Sequence, residues 1–191
     1  MKGDSNYKNV ISICGARRNV GKTFLGESII SHFSINYDVI SVKISKFKHK
    51  TQDKANLKEL YKTPFYTIWQ ELFFTNKDSG RYLKAGAKAS YYIECDDAHL
   101  LNAFLFIYNR YSATNLIVCE SASITKYIKP AISIFVESAK YQTEKNKLRS
   151  LQESTMVFKE RSIEISVPQL FLSVKNNKWV SKYSKKIYSY E

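Results

Sequence analysis

The chain has 191 residues, 44% of them hydrophobic and 25% charged. That length suits one compact domain, and the composition excludes a disordered, fibrous or low-complexity chain. A net charge of +13 favours anionic partners (nucleotides, phosphorylated cofactors, nucleic acid or an acidic protein) without choosing among them.

Val10 to Cys14 is a short β-branched apolar run of the kind that forms a buried parallel strand. A turn with Gly15 and Gly21 follows, and then Leu25, Ile29 and Phe33 recur at helical spacing over 22–33. Ile40, Val42 and Ile44 alternate with Ser41 and Lys43, predicting a second strand over 38–45. Strand, helix and strand in this order make a βαβ unit, so the sheet is expected to be parallel at its centre. Residues 55–61 and 66–74 read as helices separated by Pro64. Residues 90–95 read as a strand, and Asp96 and Asp97 are candidate caps for a helix carrying Leu100, Leu101, Phe104, Leu105 and Tyr108. Strands are expected over 115–120, 131–136, 155–158 and 169–174, with Thr143 capping a polar helix that holds Leu148 and Leu151. The alternation predicts a three-layer α/β fold, a mostly parallel sheet flanked by helices, in a single domain over residues 1–191.

No apolar run reaches the roughly 18 residues of a membrane helix. Lys2 and Asp4 before a short apolar run do not make a signal peptide, so a cytoplasmic chain without membrane contact is expected. Cys14, Cys95 and Cys119 stand far apart, as do His32, His49 and His99. Reduced, buried thiols are expected, and neither a disulfide nor a zinc site.

The segment that carries chemistry joins the first strand to the first helix: Gly15-Ala16-Arg17-Arg18-Asn19-Val20-Gly21-Lys22-Thr23. From Ala16 it fits the phosphate-loop pattern [AG]-x-x-x-x-G-K-[ST]. A loop closing around a phosphate aims successive N–H groups inward, and the helix N-terminus adds its positive end. Lys22 supplies a point charge to the β- and γ-phosphates, and the Thr23 hydroxyl is a ligand for Mg2+. The expected nucleotide-binding set is Gly15 to Thr23 together with Phe24. With it the fold class becomes the three-layer P-loop NTPase fold, binding ATP or GTP with Mg2+. No guanine-reading Asn/Thr-Lys-x-Asp segment is visible, so the base stays open between the two.

Such a loop needs a carboxylate near the metal, and two positions qualify. Glu120 ends the strand Leu116 to Cys119 and is a candidate to hold the metal, directly or through its water shell, or to orient an attacking water. The alternative for it is a strand-end charge facing solvent. Asp78, in the polar turn Lys77 to Arg81, is a candidate switch-region carboxylate; the alternative is a turn or helix cap. The expected catalytic groups are Lys22, Glu120 and Asp78.

The chain resembles the MobB-type family, small P-loop proteins of molybdopterin-guanine dinucleotide biosynthesis, over roughly residues 8–137. The likeness is carried by the loop Gly15 to Thr23, by Val42-Lys-Ile-Ser-Lys-Phe-Lys-His49, by Lys77-Asp-Ser-Gly-Arg-Tyr-Leu-Lys-Ala-Gly-Ala87, and by Glu120-Ser121 followed by Lys129 to Val136. It implies a slow, Mg-dependent ATPase or GTPase in molybdenum cofactor assembly, a homodimer, and a cofactor-biosynthesis protein as partner. Some dimeric relatives carry a lysine at the position of Arg17 that reaches the partner subunit's phosphate, so Arg17 either acts in trans or, with Arg18, points to solvent.

Two readings compete. The same fold serves small-molecule kinases, with an acceptor held by the basic loop Lys46 to Lys50. Alternatively, Lys43 to Lys62 and Lys175 to Lys186 interleave lysines with Phe47, Tyr61, Trp179 and Tyr183, a composition compatible with single-stranded nucleic acid. A solvated basic face explains the same residues, and nucleic acid is not the expected partner.

Overall fold

The computed structural model describes residues 6–47, 55–112, 114–160, 168–182 and 187–188. The first strand, β1 (Asn6–Gly15), leads through the loop to helix α1 (Lys22–Phe33) and strand β2 (Val39–Lys46). The expected βαβ unit is present, with α1 at its predicted bounds. A hairpin β3 (Leu57–Lys62) and β4 (Tyr66–Glu71) follows, then α2 (Asp78–Lys84), β5 (Ala89–Cys95) and α3 (Leu100–Tyr111). The remainder is β6 (Leu116–Glu120), β7 (Lys129–Glu137), α4 (Lys145–Gln152), β8 (Met156–Lys159), α5 (Pro168–Phe171), β9 (Leu172–Lys175), β10 (Lys178–Ser181) and β11 (Ile187–Tyr188).

Among the described residues the main sheet runs in the order β11-β8-β7-β1-β6-β2-β5-β4-β3. Every pairing from β11 to β5 is parallel, while β4 and β3 add an antiparallel edge. Helices cover both faces, so the inner strands are apolar on both sides and read as continuous runs. One face packs Ile11, Ile13 and Val118 against Leu25, Ile29 and Phe33 of α1 and Tyr82 of α2. The other packs Val10, Ile40, Val42 and Ile117 against Leu100, Ala103, Phe104 and Ile107 of α3. Each fully buried Ile or Leu contributes about 1.5–3 kcal/mol relative to exposure. This is the three-layer α/β architecture that the alternation predicts, with a mostly parallel sheet as in the P-loop fold expected from the loop.

Two of the expected helices are strands. Residues 57–62 and 66–71 form the β3–β4 hairpin, and β4 pairs antiparallel with β5. Its turn explains the difference: the Thr63 hydroxyl accepts from the N–H groups of Phe65 (3.2 Å) and Tyr66 (3.0 Å), across Pro64. The run Tyr66-Thr-Ile-Trp69 then places Ile68 in the core on one side and Trp69 on the other. Trp69 stacks on its cross-strand partner Tyr92 with ring centroids 5.6 Å apart. The strand expected over 169–174 is split, its first part being α5 and the rest β9. An Asn176-Asn177 turn with both φ values positive (50° and 57°) joins β9 to β10, a conformation that Asn tolerates.

Asp78, expected in a polar turn, is instead the first residue of α2, an element the sequence reading did not contain. Ser90 ties that helix to the sheet, accepting from Ser41 Oγ (2.7 Å) and donating to the Ser79 carbonyl (2.6 Å). Of the two candidate caps of α3, Asp96 accepts from the His99 N–H at 2.9 Å, whereas Asp97 takes the Ser123 hydroxyl at 3.4 Å. Thr143 does not cap α4, whose N-cap is Glu144. Cys14, Cys95 and Cys119 are free and buried, as expected. No helix among the described residues is long and apolar enough to cross a membrane.

Candidate functional site

Parallel strands carry their C-terminal ends to one edge of the sheet, and at such an edge a ligand finds helix N-termini and loops. Here that edge gathers the end of β1, the end of β6 and the last residues of β2. The register places Ile13, Glu120 and Lys43 side by side on three adjacent strands.

From Gly15 the chain turns sharply. The Ala16 N–H donates to the Val136 carbonyl at 2.9 Å, and the Ala16 carbonyl accepts from Lys147 Nζ of α4 at 2.7 Å. Ala16 and Val20 are buried, whereas Arg17, Arg18 and Asn19 are exposed. Two positive φ values bend the loop back toward its start: Asn19 at 59° and Gly21, the N-cap of α1, at 91°. Only glycine adopts the latter without strain. The Lys22 ammonium donates to the Arg17 carbonyl at 2.6 Å, so the lysine spans the ring the loop makes. Burial pushes its pKa down, nearby Lys43 and Lys147 add to that, and Glu120 and Asp78 oppose it. Phe24 is partly exposed on the first turn of α1.

Glu120 does not face solvent; it is 2% exposed at the centre of a polar cluster. Its Oε2 accepts from the Thr23 hydroxyl at 3.1 Å and from the Tyr82 hydroxyl at 2.5 Å. Its Oε1 is paired with the Lys43 ammonium, which also meets Asp78 Oδ2 at 2.8 Å. The structure thus brings Lys22, Thr23, Glu120 and Asp78 to one edge. Burial opposes the charge on Lys43, but Glu120 and Asp78 outweigh it and hold its pKa above the ordinary value. Burial raises the Tyr82 pKa well above that of a free phenol, and the Glu120 charge adds to this, so the phenol is a permanent donor. The Arg81 guanidinium grips Glu27 of α1 through Nε (2.8 Å) and Nη2 (2.5 Å), joining α2 to α1.

Three residues of this arrangement are not among the expected site residues: Lys43, Tyr82 and Lys147. The signal for Lys43 is its place in β2, a charged residue in the alternating part of a central strand whose neighbouring positions are apolar. Tyr82 leaves a weaker one, standing four residues after Asp78 and therefore on the same face of a helix. Nothing local marks Lys147.

Arg17 lies over the Tyr141 ring, its guanidinium carbon 4.1 Å from the centroid. The two flank an open cavity of about 470 Å³ beside the loop, also lined by Ala16, Arg18, Gln142 and Glu144. Of the basic loop Lys46 to Lys50, residues 48–50 with His49 lie outside the described residues, and Lys46 pairs with Asp97 at 3.7 Å. Lys43 belongs to the buried cluster rather than to a basic face. Of the aromatics expected on a nucleic-acid surface, Trp179 is buried against Phe33 with centroids 4.8 Å apart, and Tyr61 is stacked on Phe106. Tyr183 and Lys186 lie outside the described residues.

A magnesium ion fits this donor set. The Thr23 hydroxyl and the Glu120 carboxylate are hard oxygen donors on one side of the loop, with Asp78 at the rim. Among the described residues no group of three or more His, Cys, Asp or Glu is placed to hold a metal ion. Mg2+ is commonly held by one or two protein oxygens, with substrate phosphates and waters supplying the rest.

No family model, no curated protein and no solved structure matches the chain.

Proposed function

We propose that the chain is a P-loop nucleotide-binding protein that takes ATP or GTP with Mg2+ and hydrolyses it slowly. The observation that carries this reading is the loop: Lys22 bonded across it to the Arg17 carbonyl, with Thr23 on the buried Glu120 of the adjacent strand.

On this reading the loop N–H groups and the N-terminus of α1 hold the β- and γ-phosphates, and Lys22 exchanges the Arg17 carbonyl for phosphate oxygens. Thr23 and Glu120 would hold Mg2+, which would supply positive charge against that of the phosphates. Tyr82, by donating to Glu120, orients that carboxylate. Asp78, at the exposed rim, orients the attacking water. Catalysis is chiefly positioning and charge stabilisation at the leaving oxygen. The MobB-type resemblance adds a role in molybdenum cofactor assembly, as a homodimer with a cofactor-biosynthesis protein as client.

Calorimetry with ATP and GTP in Mg2+, on the parent and Lys22→Ala, tests the site and identifies the base together. Loss of a charge-assisted contact is expected to weaken binding about 10–100-fold. Equal affinity in the two proteins, or none in either, rejects the reading.

A further inference from the structure

Lys43 is the residue of this cluster that a phosphate loop does not require. Its ammonium is paired with Glu120 Oε1 and lies 2.8 Å from Asp78 Oδ2, and its side chain is only 15% exposed. Asp78 and Glu120 are the acidic groups read above as facing the metal and the water. Two carboxylates converging on one point need a positive charge between them, and β2 delivers one from within the chain. The backbone of Lys43 is paired in register with Glu120 on β6 and with Tyr92 on β5, so the base of the side chain is fixed and only its flexible methylene chain is free to re-aim the ammonium. A cation arriving at Glu120 and Asp78 meets oxygens already engaged by this ammonium, and the two like charges repel at close range.

We infer that Lys43 is a tethered counter-cation: it holds the position between Asp78 and Glu120 and gives it up only when a divalent metal arrives together with a polyphosphate. The inference rests on the reading of the loop as a phosphate site. It adds that the metal cannot load ahead of the nucleotide. A free divalent ion offers no partner for the displaced ammonium, whereas a polyphosphate brings new oxygens for it to bind.

The test is Mn2+ binding in the absence of nucleotide, followed by the paramagnetic resonance of the free ion, for the parent, Lys43→Met and Lys43→Arg. Mn2+ uses the same oxygen ligands as Mg2+. Lys43→Met is expected to bind Mn2+ about tenfold or more tightly than the parent, because an opposing charge is gone, and Lys43→Arg to stay at the parent level. Equal binding by Lys43→Met and the parent, or tight binding by Lys43→Arg, overturns the inference.

Should Lys43→Met fail to fold by circular dichroism, the parent decides through its 15N-lysine ammonium resonances. Lys43 should shift with Mg2+ and a non-hydrolysable triphosphate analogue together, and stay in place with Mg2+ alone. A Lys43 signal that ignores the complex while the Lys22 signal moves overturns the inference. Failure of the nucleotide reading looks different, with no Lys22 response and no heat of nucleotide binding, and it leaves the Mn2+ comparison standing.

Discussion

The Tyr82 hydroxyl donates to Glu120 Oε2 at 2.5 Å, and the ring reaches it only because α1 carries Gly26 where it passes. A Cβ at Gly26 would lie 2.7 Å from Tyr82 Cε1 and 2.8 Å from its hydroxyl oxygen. Three elements therefore converge on one carboxylate: α1 through Thr23, α2 through Tyr82 and β2 through Lys43.

Tyr82→Phe keeps the fully buried ring and removes the donor, leaving Glu120 Oε2 with Thr23 alone. A lost hydrogen bond to a charged group predicts a destabilisation of about 1–3 kcal/mol. The midpoint of urea unfolding reads it. An unchanged midpoint would mean the hydroxyl contributes nothing to holding Glu120.

Lys22→Ala should separate binding from folding. The ammonium bonds to one exposed carbonyl and is partly desolvated, so its removal is expected to change unfolding free energy by less than about 1 kcal/mol while nucleotide affinity collapses. A large loss of stability would show that Lys22 is needed to shape the loop.

Acid stability should depend on Asp78. Burial raises its pKa, but the Lys43 charge and hydrogen bond, the Thr23 hydroxyl and Arg81 outweigh burial and hold the carboxyl below its ordinary value of 3.8. The folded pKa therefore lies under the unfolded one. The stabilisation is complete above the unfolded value and is lost as pH falls through the folded value. In metal-free buffer, Asp78→Asn should be less stable than the parent at pH 7, and the gap should close as the pH falls below the ordinary carboxyl value of 3.8 and through the lower folded one. A gap that stays constant over this range would contradict the depressed value.

The three cysteines should be silent in the folded protein. Burial pushes the Cys14 and Cys95 thiols up to about 12, and raises Cys119 as well. At pH 8 almost no thiolate is present, and access is blocked. Ellman's reagent should find no reactive thiol before denaturation and all of them in guanidinium. Prompt reaction in the native state would show that one of these strands opens.

What local pattern can report was legible in the chain. Runs such as Val10 to Cys14 and the spacing of Leu25, Ile29 and Phe33 mark their elements because period and burial leave a signature within a few residues. The Ala16 to Thr23 pattern marks the loop for the same reason, since a tight turn before a helix needs particular residues at fixed offsets. The β3–β4 hairpin reads as helix in the sequence because its apolar residues lie close together. A strand is distinguished there only by the partner β5, far along the chain.

Residue types and their spacing along the chain specify the parallel α/β plan, the loop, and Glu120 as an acid at a strand end. The packing of the elements is what buries Glu120, sets Lys43 between it and Asp78, and brings Tyr82 and Lys147 to the site from α2 and α4. Charge pairing is set by distance in space. The register of β2 on β6 and the passage of Tyr82 past Gly26 create distances that no spacing along the chain encodes.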